Sequence, residues 1–347
     1  MKSKLIENTP VETAGARDLA LVGVGYWGKN LARNFRELGA LHTLCDLNET
    51  LLAGYGADYS DVVKTMDFKA VLADSRISKV AIATPASLHH PLVRAALLAG
   101  KDVFVEKPLC LGEKEAEEVV AIARERNRVL MVGHLLQYHP CVTLLQSMVA
   151  RGDLGKLYYI TSNRLNLGKI RREENALWSF APHDISVILS LVGQASRIQV
   201  ACTGAAHITS GVADTTLTTL GFPDGIRAHI YVSWLNPFKE QKLTVVGSRG
   251  MAVFDDTRPW SEKLAIYPDY LSRDSLGNPS PVKGSVRFPV VPEAEPLRAE
   301  CLHFLECCVG RGIPRTDGPE GLQVLRVLQA AQTSLEQSGA PQYLAQS

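Results

Sequence analysis

Gly23-Val24-Gly25-Tyr26-Trp27-Gly28 is a G-x-G-x-x-G that follows an apolar run at residues 19–24 and opens an amphipathic stretch at 31–38. A strand that turns at once into a helix through three such glycines has few folds open to it. Gly23 permits the tight turn and Gly25 lets backbone approach a pyrophosphate. Gly28 lets helix and strand pack closely, and the helix N-terminus attracts the anion. A second mark is an acidic residue at the end of the next strand, where it meets ribose hydroxyls. Asp46 stands 18 positions past Gly28, directly after the apolar run Leu41–Cys45. A carboxylate there repels a 2′-phosphate, so the pattern predicts NAD rather than NADP. The alternative is an ordinary glycine turn with a surface aspartate.

The rest of the first 135 residues keeps the same rhythm. Apolar runs at 80–83, 103–105 and 129–132 alternate with helix-length amphipathic stretches at 92–98 and 113–126. The runs are continuous rather than alternating, as parallel strands covered on both faces require. Residues 18–136 therefore read as a doubly wound α/β Rossmann domain, preceded by a flexible lead-in at 1–17. From about residue 157 strand-like runs succeed one another at 157–162, 198–202, 215–220, 226–233, 243–246 and 252–254. Consecutive strands without helices between them predict a mostly antiparallel open sheet in an α+β C-terminal domain, residues 137–347. Residues 256–296, rich in Pro, Gly and Ser, read as a long loop. Helical stretches at 297–309 and 319–335 close the chain.

Composition narrows the partners. The 347 residues suit two domains, and a net charge of +1 gives no global field for nucleic acid or a membrane. No apolar run reaches the ~18 residues of a membrane span, and the N-terminus lacks the apolar stretch of a signal peptide. Seven cysteines without a CxxC pair argue against disulfides or zinc and for a reducing cytoplasm. Cys301, His303, Cys307 and Cys308 lie in a helical run, 300–309, and read as buried structural residues rather than metal ligands.

Two motifs end strands in the cofactor half: Ala83-Thr84-Pro85 and Glu106-Lys107-Pro108. Ligands of open α/β sheets bind outside the carboxyl ends of strands, so both face the cofactor crevice. With the glycine motif and the change to consecutive strands, they resemble the Gfo/Idh/MocA oxidoreductases. The resemblance covers nearly the whole chain, and Glu106-Lys107-Pro108 is its most specific part. It implies that Gly23, Gly25, Tyr26, Trp27, Gly28, Asp46, Thr84, Pro85, His89, Glu106 and Lys107 surround NAD. It also implies a cis peptide before Pro108.

Removing a hydroxyl proton while hydride leaves the same carbon calls for a positioned acid–base pair. By resemblance Lys107 hydrogen-bonds the reacting oxygen, and His183 is the general base. Many relatives carry Asp-x-x-x-His, whereas Ser179 stands at the first position here. Asp184 either orients the imidazole or caps the following helix. His134, Gln137 and His139 follow the last Rossmann strand, and relatives often carry Arg where Gln137 stands. Tyr138 is expected near substrate or nicotinamide, and His89 either near the cofactor or at a helix start. Trp178 and Phe180 flank the site as apolar packing.

The stretches 133–140 and 163–186 resemble nucleotide-sugar 3-dehydrogenases, which oxidise UDP-N-acetylglucosamine or its glucuronic acid. The resulting 3-keto sugar passes to a separate aminotransferase. A UDP-sugar carries a diphosphate, which suits Arg164, Lys169, Arg171, Arg172 and Asn175, with Tyr138, Lys107 and His183 completing the substrate contacts. Some of these residues alternatively contact a neighbouring subunit, since relatives are homo-oligomers, dimers or tetramers. An inositol or unactivated-sugar dehydrogenase fits the basic stretch less well, and a non-catalytic NAD sensor would need neither Lys107 nor His183.

Overall fold

A computed structural model of the chain describes residues 16–345 apart from 169, 173, 194 and 196. The expected lead-in lies almost entirely outside the described residues, as does Lys169. The first half consists of strands β1 (Leu19–Val22), β2 (Leu41–Cys45), β3 (Val63–Thr65), β4 (Lys79–Ile82), β5 (Asp102–Glu106) and β6 (Leu130–Gly133). They form one parallel sheet in the order β3-β2-β1-β4-β5-β6. Helices α1 (Gly28–Glu37), α2 (Glu49–Ala53), α3 (Phe68–Ala73), α4 (His89–Leu98) and α5 (Glu113–Glu125) connect the strands. Successive side chains of a strand point to opposite faces. Leu19 and Leu21 enter a core with Leu31 and Phe35 of α1, while Ala20 and Val22 enter another with Val93, Leu97 and Val119. Both faces being covered explains why the strands read as unbroken apolar runs.

The second half opens with α6 (Pro140–Ala150), β7 (Leu157–Leu165) and α7 (Ala176–Val192). Strands β8 (Arg197–Ala205), β9 (Thr215–Gly221), β10 (Arg227–Ser233), β11 (Glu240–Gly247), β12 (Gly250–Asp255) and β13 (Leu264–Tyr267) follow. A hairpin of β14 (Tyr270–Arg273) and β15 (Pro279–Val282) leads to α8 (Pro296–Gly310), α9 (Gly318–Glu336) and β16 (Gln342–Ala345). The large sheet runs β13-β12-β11-β7-β10-β9-β8-β16, antiparallel except for the β7–β10 pair. One face packs on α7 and α9. The other is open, and there exposed Leu217 and Tyr231 stand directly opposite each other.

Two expectations need correction. A helix, α7, does intervene between the first two strands of this sheet. It is wedged between the sheet and the Rossmann half and buried nearly all round, so it carries no polar stripe to betray its period. The stretch 256–296 is not simply a loop: β13 extends the sheet, and β14 with β15 forms a separate ribbon. The last helices return to the cofactor half. Leu297, Cys301 and Phe304 of α8 share a core with Leu19, Leu31 and Phe35, and α9 packs along α5 and β6. All seven cysteines are free and buried.

Candidate active site

The glycine loop fits a dinucleotide by what its backbone leaves open. Gly23 has φ +87°, and a Cβ there would lie 2.7 Å from the Ala83 carbonyl oxygen. A Cβ on Gly28 would sit 2.0 Å from the Gly23 carbonyl oxygen, so strand and helix touch there without side chains. Over Gly25 nothing lies within 4 Å, which keeps its backbone accessible to an incoming phosphate. Tyr26 is exposed at the loop's rim. Asp46, at the carboxyl end of β2, accepts from the Val24 amide at 2.8 Å and the Asn48 amide at 2.9 Å. Thr84, after β4, keeps a buried hydroxyl oxygen with no protein partner. A buried hydroxyl without a bond is costly, so this one suits a ligand group at the same strand edge. Taken together, these residues fit NAD.

The neighbouring strand ends supply the chemistry. The peptide between Lys107 and Pro108 is cis, as the resemblance implied. Glu106 accepts from the indole N–H of Trp27, and burial pushes its carboxyl up to about 7 despite Lys107 alongside. The Lys107 ammonium donates to the Ser179 carbonyl oxygen at 3.1 Å. Ser179 lies in α7 one turn before His183, and Pro182 interrupts the helix between them. Proline has no N–H to give the preceding turn. The carbonyl that this leaves without its helical donor is that of Trp178, next to the Ser179 carbonyl that Lys107 meets. Burial lowers the Lys107 pKa from its ordinary value. Burial, then the charges of Lys107 and Arg164, hold His183 well below 6.5, leaving a neutral ring able to accept a proton. Its Nδ1 is buried without a partner.

A third strand end completes the arrangement. His134, just past β6, is 1% exposed and meets the His183 ring edge-on, with centroids 6.5 Å apart. Its Nδ1 lies 2.7 Å from Oε2 of Glu320, in the first turn of α9. The other oxygen of Glu320 accepts from Ser186 Oγ at 2.6 Å and from Gln137 Nε2 at 3.1 Å. Glu320 escaped the sequence reading. Its local sequence announces only a helix start after Asp317-Gly318-Pro319, and nothing local links it to His134 nearly two hundred residues earlier.

Other candidates are placed differently. Asp184 neither orients His183 nor caps a helix: it sits mid-helix, bound to Arg164 through Nε at 2.9 Å and Nη2 at 3.0 Å, and to Ser162 Oγ at 2.8 Å. Asn175 caps α7 through the Trp178 amide and donates to Gln332. Tyr138 is turned into the core beneath α8, its hydroxyl 3.2 Å from Thr316 Oγ1. His89 starts α4 and bridges the two strand-end motifs, Nδ1 facing the Pro108 carbonyl at 2.6 Å and Nε2 the Thr84 carbonyl at 3.0 Å. Arg171 is exposed and paired with Glu174, and Arg172 is exposed beside it.

Comparison with known proteins agrees with this fold. Residues 17–134 match the model "Oxidoreductase family, NAD-binding Rossmann fold", and residues 142–253 match "GFO/IDH/MocA C-terminal domain". UDP-N-acetylglucosamine 3-dehydrogenase of Acidithiobacillus ferrooxidans is 25% identical over 91% of this chain and 96% of its own. A solved structure of that enzyme superposes with a TM-score of 0.81 at 24% identity, covering 92% of this chain and 98% of the other. A putative oxidoreductase from Magnetospirillum magnetotacticum is 30% identical, with a TM-score of 0.75 and coverage of 90% and 98%. A levoglucosan dehydrogenase solved with NADH and L-sorbose is similar at 20% identity, with a TM-score of 0.79 over 94% of this chain and 98% of that one.

Proposed function

Because the chain belongs to the Gfo/Idh/MocA family of NAD-binding oxidoreductases, we propose that it oxidises the 3-hydroxyl of UDP-N-acetylglucosamine to a 3-keto nucleotide sugar, the substrate of a later transamination. The observation that supports the reading is Lys107, at the carboxyl end of β5, bonded to α7 one turn before His183, whose imidazole is kept neutral by burial. Bound NAD supplies the hydride acceptor. Lys107 donates a hydrogen bond to the reacting oxygen and favours its alkoxide-like form, while His183 takes the hydroxyl proton. Asp46 holds the adenosine ribose, and Thr84 bonds the dinucleotide beside the Lys107 motif.

The substrate rests on the likeness to the Acidithiobacillus enzyme along nearly both whole chains, and on Arg171 and Arg172 in the exposed segment just before α7. A diphosphate suits two adjacent exposed guanidinium groups, and would compete with Glu174 for Arg171. A uronic acid form of the same sugar would use one of them for its extra carboxylate. We propose also that the open face around Leu217 and Tyr231 is covered by a second copy of the chain.

Purified protein given NAD and UDP-N-acetylglucosamine should produce NADH, followed by its near-ultraviolet absorbance. Reduction with inositol but with no UDP-sugar would overturn the substrate, and no reduction with any alcohol would favour a sensor.

A further inference from the structure

Each oxidation leaves a proton behind. The alcohol C–H bond gives its electron pair to NAD as hydride, and the O–H pair becomes the second C–O bond. The O–H proton goes to His183 and must reach water before the next turnover. Among the described residues His183 has no carboxylate bonded to it: its Nδ1 is buried and unpartnered. Two cations, Lys107 and Arg164, bear on it, and Asp184, the adjacent acid, is committed to Arg164. An imidazolium in that setting is poorly stabilised and needs a way to discharge.

We propose that His134 and Glu320 form a proton relay that carries this proton from His183 to solvent. The inference rests on the dehydrogenase reading above but not on the identity of the alcohol. His134 stands edge-on to His183 at a distance one bridging water spans. Glu320 accepts from Nδ1 of His134 at 2.7 Å, which leaves Nε2 bare to receive a proton. The transfer is balanced: the proton arrives at Nε2 of His134 as the Nδ1 proton passes to Glu320, and no electrons move. Glu320 is the way out, because its side chain keeps 18% of its surface in water while that of His134 keeps 2%. Ser186 and Gln137 fix the other oxygen of Glu320, so its carboxylate is aimed without being neutralised. Among the described residues the further titratable groups that bear on the pair are Glu106 at the end of β5, Glu300 of α8, which is buried without a hydrogen-bond partner, and Asp317 at the start of α9.

The test pairs kinetics with a measurement that needs no substrate. Glu320→Gln keeps an acceptor for His134 but cannot take a proton. It should lower kcat roughly 10-fold or more, leave KM for NAD unchanged, and enlarge the solvent deuterium isotope effect. His134→Ala should lose a similar factor and regain part of it with added imidazole, which a merely structural role would not allow. With ¹⁵N-labelled histidine, His134 in the resting enzyme should carry its proton on Nδ1, keep it there in Glu320→Gln, and lose that preference in Glu320→Ala. A folded Glu320→Gln at wild-type rate overturns the relay, as does a His134 protonated only on Nε2. If His134→Ala fails to fold, the glutamine variant and the nitrogen spectra decide. If wild type ignores UDP-sugars, the substrate reading fails, and the relay is judged on the spectra and on whichever secondary alcohol the enzyme oxidises.

Discussion

The two halves of this site are built by different means. The cofactor side is mostly backbone: three glycines, strand ends and a helix start within one short stretch of chain. The substrate side is mostly side chains drawn from β5, β6, β7, α7 and α9, brought together only by folding. A backbone site is rigid and tolerates little at its close contacts. A side-chain site divides its residues between holding one another and holding the ligand, and residue type alone does not separate the two duties. Arg164 and Arg171 are equally basic, yet one is pinned by a buried aspartate while the other pairs with Glu174 at the surface.

The largest effect should fall on that division. Arg164→Ala strands Asp184, whose side chain is 3% exposed, and should cost about 3–5 kcal/mol in denaturant unfolding. A loss confined to substrate KM, with stability intact, would return Arg164 to the ligand. Next comes Lys107→Ala, which should cut turnover by at least ~10²-fold while NAD titration stays normal. Near-wild-type turnover would remove Lys107 from the chemistry. Arg171→Ala and Arg172→Ala should each raise KM for a UDP-sugar about tenfold without moving Tm, the size of one lost charge-assisted bond. Asp46→Ala weakens the glycine turn for either cofactor, since it also removes the Val24 contact. The measure that isolates its reading of the ribose is therefore the ratio of NAD to NADP affinity, which should shift by roughly tenfold towards NADP. The smallest effect is one of position on the pH axis. His183, held below its ordinary value, protonates only under pH 6.5, so kcat/KM should stay flat as pH falls through 6.5 and drop further down. Lys107, also lowered, should place the alkaline limb under 10.5. An acid limb centred at 6.5 would mean that His183 is not the base.

Legibility followed the same divide. Strands β1, β2, β4, β5 and β6 were readable because a covered parallel sheet demands unbroken apolar runs. β3 was not, being three residues long and largely exposed at the sheet's edge. Gly23, Asp46, Lys107 and His183 were singled out from motif and resemblance; the strand-end placement of the first three followed from the sheet, while His183 sits in α7. α7 was missed because burial on all sides erases helical periodicity, and Pro182 breaks it further. Glu320 and the Ser179 carbonyl were missed for a different reason: their contacts join elements far apart in sequence, and a backbone carbonyl has no letter of its own. Tyr138 shows the converse, an aromatic beside the motif whose side chain points into the core.

The return of α8 to lie against β1 and α1 has a consequence for biogenesis. The nucleotide-binding lobe begins near the N-terminus, yet its hydrophobic lining includes residues around 297–308. A nascent chain halted after β6 would expose that apolar surface, so the lobe is finished only once residues 297–308 have left the ribosome. Severing the chain at the lobe's apparent end should yield a sticky, insoluble fragment, and the two lobes should melt as one.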